Sequence, residues 1–194
     1  PARAQQLQDA GWNPTRNDAT QYVPDLQAFD RVLMNPPFGK LAGGEVMFDG
    51  HKIRKIDHLI AAKALEAMKD DGRAVLIIGA QSDAGAMTTP ETPFFYWLYQ
   101  NYNVTDHYEV DGKLYERQGA AWPVRVITIE GRQTSRRRPP APEQVARLSS
   151  WEEVYERQPQ VLAGPDEQAV GEREPGGGAL VLRAGGDVRG GHLA

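Results

Sequence analysis

The feature that most constrains this chain is a strand-like segment followed, after a connection, by a helix-like segment and then a second strand-like segment. Phe29–Met34 (FDRVLM) is typical of a short buried strand. Asp57–Lys69 has apolar residues at helical spacing, with Asp57 as the expected N-cap and Asp70-Asp71-Gly72 as the expected stop. Arg73–Gly79 (RAVLIIG) is a continuous apolar run, which is typical of a strand covered on both faces. This β-α-β order predicts an α/β fold with a mostly parallel, doubly wound sheet.

Weaker patterns lie before, within and after this β-α-β unit. We expect a helix over Ala2–Ala10, a weak strand over Trp12–Asn17, a mobile glycine-rich loop over 39–56, an aromatic-rich helix over 93–102, and strands over Val104–Val110 and Pro123–Glu130. The last two strands are separated by glycine-containing turn segments, so they are predicted to pair as an antiparallel hairpin at the edge of the sheet.

Composition divides the chain near residue 132. Residues 1–132 carry most of the strand- and helix-like patterning, whereas residues 133–194 include RRRPP, AGPDEQ and EPGGGA, which are typical of a linker or tail. Within this second part, Ser150 followed three positions later by Glu153 predicts a short capped helix near 150–158. We therefore expect a domain over 1–132 and a flexible extension over 133–194.

Charge and residue usage exclude several classes of protein. The formal net charge of −4 provides no global basic field, so any contact with nucleic acid must be local. The absence of cysteine excludes disulfides and thiolate metal sites. No apolar run approaches the roughly 20 residues that a membrane span needs, and there is no secretory signal pattern. A cytoplasmic location without membrane contact is the expectation.

The first predicted strand ends in an unusual corner, Asn35-Pro36-Pro37-Phe38. Proline has no N–H and a fixed φ, so two prolines in succession end sheet pairing and stiffen the chain around them. A plain proline turn is one interpretation of this corner. A binding site is the other, because ligands of open α/β sheets lie beyond the carboxyl ends of the strands, where this corner falls.

The chemistry of the corner suits an aromatic amine. The lone pair of an exocyclic amine on a nucleobase is delocalised into the ring, which makes the nitrogen a poor nucleophile. Two acceptors outside the ring plane, the side-chain oxygen of Asn35 and the carbonyl oxygen of Pro36, would favour a more pyramidal nitrogen. The two prolines would hold these dipoles in place before the substrate arrives. Phe38 would stack on an extruded base, as enzymes that flip bases require.

The corner and the segments after it resemble the S-adenosylmethionine-dependent amino-methyltransferases. LMNPPFGK (Leu33–Lys40), followed by DHLIAAKALEAMKDDGRAVLII (Asp57–Ile78), is most similar to the N6-adenine DNA methyltransferases of the Asn-Pro-Pro-Phe type, in the form carried by large phage and plasmid proteins. The similarity extends to Leu114–Arg132 and covers about residues 1–132. It implies a class I methyltransferase domain, Rossmann-like, with a mostly parallel sheet and an antiparallel edge hairpin.

The resemblance also implies roles for particular residues. Asn35 and Pro36 would bind the target amine, Pro37 would stiffen the corner, and Phe38 would stack on the base. Asp18 matches the position of a carboxylate near the adenine ring of the cofactor, although an ordinary turn cap is the alternative. S-adenosylmethionine would be the methyl donor, no metal would take part, and the partners would be DNA with a flipped adenine and further domains of a larger polypeptide.

Other functions are compatible with the same corner. Ribosomal RNA guanine-N2 methyltransferases also carry Asn-Pro-Pro-Phe, and protein glutamine methyltransferases carry a close relative of it. All of these enzymes present a planar nitrogen to the same pair of acceptors. A non-catalytic remnant that binds nucleic acid is the alternative from another class.

Two features of the family are missing before Pro36: a glycine-rich turn after the first strand and an acidic residue that ends the second. In the family a helix like Pro1–Gly11 follows that second strand. We therefore expect the chain to lack its first strands, to bind S-adenosylmethionine weakly and be inactive by itself, and to leave the edge of Phe29–Met34 unpaired. Circular permutation, with Gly176–Gly191 supplying the turn, is less favoured because no helix could follow before Ala194.

The loop over 39–56 is net basic despite two acidic residues. Its cationic or titratable residues are Lys40, His51, Lys52, Arg54 and Lys55. Such a loop could close on a phosphate backbone, or its side chains could simply be solvated.

Overall fold

A computed structural model describes residues 2–11, 13–15, 17–22, 25–81, 83, 85–118, 122–133, 137–157 and 179–183. In chain order the helices and strands are α1 (Ala2–Asp9), β1 (Phe29–Asn35), β2 (Val46–Phe48), β3 (His51–Ile53), α2 (Ile56–Glu66), β4 (Met68–Gly79), α3 (Thr92–Asn101), β5 (Tyr102–Val110), β6 (Val124–Arg132), β7 (Arg147–Leu148), α4 (Trp151–Arg157) and β8 (Ala179–Arg183). Short 3-10 segments cover Gly112–Gln118 and Pro142–Gln144.

In the described part of the chain, the central sheet has six strands in the order β7-β5-β6-β4-β1-β8. Strands β4, β1 and β8 are parallel to one another. Strand β6 is antiparallel to both β4 and β5, and β7 is parallel to β5. This arrangement confirms a mixed α/β fold in which a parallel core is joined to antiparallel strands.

One hydrophobic cluster joins α2 and α3 to the sheet. Helix α2 is rich in alanine, so its backbone can approach the sheet closely, and eight of its eleven residues are buried. Helix α3 contributes Phe94, Phe95, Trp97 and Leu98, each at most 2% exposed. Burying a large apolar side chain stabilises a fold by roughly 1.5–3 kcal/mol. The β1-α2-β4 unit that carries the corner is therefore firmly packed from one side.

The prediction that Asp70-Asp71-Gly72 ends the helix in a turn is wrong, because these residues lie inside β4. The helix ends earlier, at Glu66, and the strand begins at Met68. The register between β1 and β4 shifts at this point, from Phe29 opposite Met68 to Arg31 opposite Arg73. Residues that favour turns in isolation are here accommodated as a bulge within a longer strand.

The segment 39–56 is a β-hairpin, not the loop without regular structure that its mixed composition suggested. Asp49 and Gly50 both have positive φ, 44° and 75°, as a two-residue type I′ turn requires. The hairpin packs on α3, where the Trp97 ring meets the Phe48 ring edge-on at 5.3 Å and donates from Nε1 to Asp49 Oδ2 at 3.1 Å. The Asp-Gly pair was the signal for this hairpin.

The described residues of the weak strand predicted over Trp12–Asn17 are not in a strand. By contrast, the helices predicted over Ala2–Ala10 and 93–102 and the antiparallel pairing of the two late strands are confirmed.

Residues 137–157 contact the sheet instead of extending away from it. Strand β7 pairs with β5, and Val154 of α4 is 5% exposed. Helix α4 begins as the sequence predicts, since Ser150 Oγ accepts from the Glu153 N–H at 3.2 Å and Glu153 Oε2 accepts from the Ser150 N–H at 3.3 Å. Its last residue, Arg157, forms an ion pair with Asp106 of β5 at 2.6 Å.

Strand β8 pairs with β1 in parallel, from Arg31 opposite Ala179 to Asn35 opposite Arg183. The expectation that β1 would have an unpaired edge is therefore wrong. The short apolar run Ala-Leu-Val-Leu suits a strand that completes an otherwise open edge. Residues 176–178 and 184–191, which belong to the alternative of circular permutation, lie outside the described residues.

Candidate functional site

The corner lies at the carboxyl end of β1, between the carboxyl ends of its two parallel neighbours. Strand β1 ends at Asn35, opposite Arg183 at the end of β8. On the other side β4 runs on to Gly79 and Ala80. In parallel sheets this edge is where ligands bind. The fold thus places the corner where the sequence pattern predicts it.

The four corner residues differ in exposure in a way that suits a binding site. Asn35 is half-buried, and its side-chain amide makes no hydrogen bond to the described residues. Pro36 is buried and Pro37 is half-buried, so the chain between the two polar and aromatic ends is fixed. Phe38 is 40% exposed. A rigid segment therefore carries a free amide at one end and a partly open ring at the other.

Phe38 packs where β4 ends and α2 begins. A carbon added at Gly79 would lie 3.4 Å from Phe38 Cγ and 3.6 Å from Asp57 Oδ2. Asp57 is fully buried in the first turn of α2, and its Oδ2 accepts from the Gly79 N–H at 3.1 Å. Burial raises the pKa of the Asp57 carboxyl above its ordinary 3.8. The sequence predicts Asp57 as an N-cap, but Lys55 occupies that position.

His58, the next residue of α2, is structural. Its ring is fully buried, stacked on Phe94 at 4.3 Å and edge-on to Phe95 at 5.5 Å. Burial lowers the pKa of His58 well below its ordinary 6.5, so the ring is neutral. Neither ring nitrogen has a hydrogen-bond partner among the residues that the structure describes. An aromatic packing role accounts for its place on the buried face of α2.

The chain leaving the corner is tied to the start of α2. The Ile56 N–H donates to Gly39 O at 3.0 Å, and the backbones of Lys40 and Lys55 pair in an isolated antiparallel β-bridge. Lys55 in turn donates to the buried Glu91 at 2.6 Å. These contacts fix both ends of the hairpin relative to the corner.

Glu91 connects the hairpin to the segment that follows β4. Its carboxylate accepts hydrogen bonds from Lys55, Gln81 and Thr88, the last from both the N–H and the hydroxyl. Burial alone would raise the pKa of Glu91, but the hydrogen bonds from Lys55, Thr88 and Gln81 outweigh it and lower the pKa from 4.5 to about 2. Sequence reasoning missed Glu91, because its burial is decided by packing between segments far apart in the chain.

Most cations of the hairpin are already paired within the molecule. Lys52 and Arg54 both contact Glu45, at 3.0 Å and 2.9 Å, and Lys55 contacts Glu91. Lys40 has no carboxylate partner among the described residues. The basic character that the composition of this segment suggested is therefore partly offset, by Glu45 within the segment and by Glu91 outside it.

Asp18 is exposed and stabilises a turn. Its Oδ1 accepts from the Thr20 N–H at 2.9 Å and from the Thr20 hydroxyl at 2.8 Å. This is the turn-cap geometry that the sequence left open as the alternative to a cofactor contact.

Trp122, which sequence reasoning did not single out, lies beside the same edge of the sheet. It is 53% exposed, and its Nε1 donates to Ala80 O at 2.7 Å. The Ala80 N–H donates to Pro123 O at 2.9 Å, so the start of β6 is held against the end of β4. The available signal in the sequence was an aromatic residue just before the segment that forms β6.

Other features of the described residues lie away from this edge. One groove of about 610 Å³ is lined by residues of β5, β6 and α4, and another of about 480 Å³ by residues of α3 and the hairpin tip. No group of three or more acidic, histidine or cysteine side chains is placed to hold a metal in the described ranges. No helix in those ranges is long and apolar enough to cross a membrane.

No known protein family matches this chain, and no curated protein matches it at a significant level. Functional reasoning therefore rests on the residues of the corner and their surroundings.

Proposed function

We propose that this chain carries the amine-binding corner of an S-adenosylmethionine-dependent methyltransferase that acts on the N6 amine of adenine in DNA. The observation that carries the proposal is the amide of Asn35, which makes no hydrogen bond to the described residues and is half-buried beside two fixed prolines at the carboxyl ends of three parallel strands. Because no described residue uses this amide, its oxygen and N–H groups remain available to a ligand.

In this proposal, Asn35 and Pro36 bind and polarise the target amine. The Asn35 side-chain oxygen and the Pro36 carbonyl oxygen accept the two N–H groups, which draws the nitrogen lone pair out of conjugation with the ring. The rigid prolines keep both acceptors in position, so little reorganisation is needed when the substrate binds. No residue has to deprotonate the amine first, because the proton can leave after the methyl group is attached.

Phe38 supports the base in the same proposal. Its ring is partly exposed beside Asn35, as a stacking partner for an extruded base must be. Stacking on an aromatic side chain is worth roughly 1–3 kcal/mol per base in single-strand binding. Phe38 would therefore contribute to holding the base out of the helix, while Asn35 and Pro36 select for an amine.

S-adenosylmethionine would supply the methyl group by direct displacement at its sulfonium carbon, without a metal. In the part of the chain that the structure describes, the one carboxylate predicted to hold it, Asp18, caps a turn through Thr20. The described residues do not form a recognisable binding site for S-adenosylmethionine. We assign no described residue to the donor.

The Rossmann-like class I methyltransferase fold is part of the same proposal. The three parallel strands β4, β1 and β8 with the antiparallel β6 and β5 are compatible with it. Strand β8 takes the place beside β1 that the first strand would occupy in that fold. This placement supports the permuted arrangement more than the sequence alone does.

The acceptor is tested with the protein expressed from its complete gene and radiolabelled S-adenosylmethionine. Adenine-containing DNA, ribosomal RNA and a release factor are offered in parallel. The proposal predicts label in DNA that co-elutes with N6-methyladenine after digestion. Label only in guanine of ribosomal RNA, or only in glutamine of the release factor, would move the assignment to that class. No transfer to any acceptor, together with retained nucleic-acid binding, would favour the non-catalytic remnant.

A further inference from the structure

Gly79 is the point where Phe38, α2 and β4 come together. A carbon added there would have Phe38 Cγ at 3.4 Å, Phe38 Cβ at 3.5 Å and Asp57 Oδ2 at 3.6 Å. These are ordinary contact distances for one methyl group, and a branched side chain is expected to press its additional atoms against Phe38 or Asp57. Gly79 is not among the glycines with positive φ. A small residue is therefore required here by the surrounding side chains, and no special backbone conformation is involved.

Asp57 holds Gly79 from the helix side. The carboxylate is fully buried, and its Oδ2 accepts from the Gly79 N–H at 3.1 Å across the gap between α2 and β4. Its Oδ1 is buried and has no hydrogen-bond partner among the described residues. Burying a carboxyl group is unfavourable unless it is hydrogen-bonded, and the bond from the Gly79 N–H is the side-chain hydrogen bond given for Asp57 among the described residues.

The position of the Phe38 ring depends on its contact with Gly79, because only part of this residue is covered by the protein. With 40% of the residue exposed, its position is set by what touches the covered part. Among the contacts that the structure describes, Phe38 meets the end of β4 at Gly79, and the Asp57 carboxylate approaches the same glycine from α2. A change in the position of Gly79 is therefore expected to shift the ring.

We propose that Asp57 and Gly79 are positioning residues that fix the ring of Phe38 beside Asn35. The inference rests on the proposed function, in which Phe38 stacks on the target base. Asp57 ties the first turn of α2 to the end of β4, and Gly79 leaves the space into which the ring fits. Together they determine the plane against which a base can stack.

Gly79→Val tests this proposal, with Gly43→Val as the matched control. Gly43 also lacks a positive φ, and nothing lies within 4 Å of a carbon added there. In the protein from the complete gene, Gly79→Val is expected to lower the kcat of methyl transfer by about tenfold or more, since misplacing a reacting group by 1 Å can cost roughly 100-fold. The KM for DNA should change little. Gly79→Ala and Gly43→Val should both stay close to wild type.

A second pair of variants covers the case in which Gly79→Val does not fold. Asp57→Asn keeps an oxygen that can accept from the Gly79 N–H, whereas Asp57→Ala does not. The proposal predicts that kcat is retained in Asp57→Asn and lost in Asp57→Ala, measured at a temperature where thermal denaturation shows both to be folded.

Two results would overturn the inference while leaving the proposed function intact. One is a wild-type enzyme that methylates DNA with equal kcat in Gly79→Val and Gly43→Val. The other is equal kcat in Asp57→Asn and Asp57→Ala. If wild type transfers no methyl group to any acceptor, the proposed function itself fails and the inference fails with it.

Discussion

Two polar regions of this molecule are built in opposite ways. At the corner, Asn35 is half-buried and its amide makes no hydrogen bond within the described part of the chain, and Phe38 is partly open to solvent. In the second region, which we call the Glu109 cluster, Glu109 on β5 forms ion pairs with Arg125 on β6 and Arg147 on β7. Glu109 and Arg125 are fully buried, 3.2 Å apart, and Arg147 contacts Glu109 at 2.6 Å.

The difference between these regions separates binding from support. The Glu109 cluster makes its contacts within the protein, since Arg147 donates to Glu109 and to Gln81 O and Arg125 donates to Ala86 O. Glu109 Oε1 and Arg125 Nε and Nη1 are buried and have no hydrogen-bond partner among the described residues. The hydrogen bonds to Gln81 O and Ala86 O hold the segment after β4 against the sheet. The corner keeps its polar groups free while its backbone is held by prolines. Preorganised polar groups that the protein leaves open can bind a ligand, whereas a buried ion pair links the strands that carry it and is costly to break by removing one partner.

The largest expected effect on the comparison comes from breaking the Glu109 cluster. Glu109→Ala would leave two arginines without their buried carboxylate, which should lower the free energy of unfolding by about 3–5 kcal/mol. Urea denaturation monitored by circular dichroism measures this change. Glu45→Ala is the matched control, because its two ion pairs are exposed and should contribute little. Equal stability of the two variants would mean that the cluster is not a supporting element.

A smaller effect is expected from acid, through Glu91. Its pKa is lowered from 4.5 to about 2 in the fold, so its contribution to stability is complete above pH 4.5 and is lost as the pH falls through about 2. A shift of this size corresponds to roughly 3 kcal/mol. Urea denaturation of wild type and Glu91→Gln at several pH values between 5 and about 2 measures it. The difference in stability between them should shrink across this window; a constant difference would show that Glu91 is not charged in its pocket.

The smallest expected effect is local and concerns the edge that β8 covers. Deleting residues 179–194 should expose one side of β1, whereas deleting 184–194 leaves β8 in place. Because alternate residues of a strand point their N–H groups to opposite neighbours, hydrogen exchange should quicken at alternate amides of Arg31–Asn35 in the longer deletion only. Unchanged protection in both deletions would mean that β8 does not pair with β1 in solution.

The sequence predicted those parts of the fold whose signals are local. Helix α2, the apolar part of β4 and the β5–β6 pair follow from periodicity within about a dozen residues. Strand β8 was missed as a sheet member because its partner, β1, lies about 150 positions earlier and nothing local identifies it. The hairpin at 39–56 was missed although Asp49-Gly50 is a recognised turn signal, because the flanking residues alternate only weakly.

The candidate site divides in the same way. Asn35-Pro36-Pro37-Phe38 could be identified from the sequence, since its chemistry is contained in four consecutive residues. Asp57, Gly79 and Glu91 could not be assigned their contacts, because these depend on how α2, β4 and the hairpin pack together. Sequence identifies groups that act by residue type, and structure identifies groups that act by position.

The most direct test of the central claim compares methyl transfer and DNA binding in wild type, Asn35→Ala and Asn103→Ala, in protein from the complete gene. Asn103 lies on β5, where its amide already donates to Glu130 O. The account predicts that Asn35→Ala lowers the rate of N6-adenine methylation by about 100-fold or more, as loss of one preorganised hydrogen-bonding group at a reacting centre does, while DNA affinity and stability stay unchanged. Asn103→Ala should remain active. Full activity of Asn35→Ala would contradict the account and make the corner a plain proline turn.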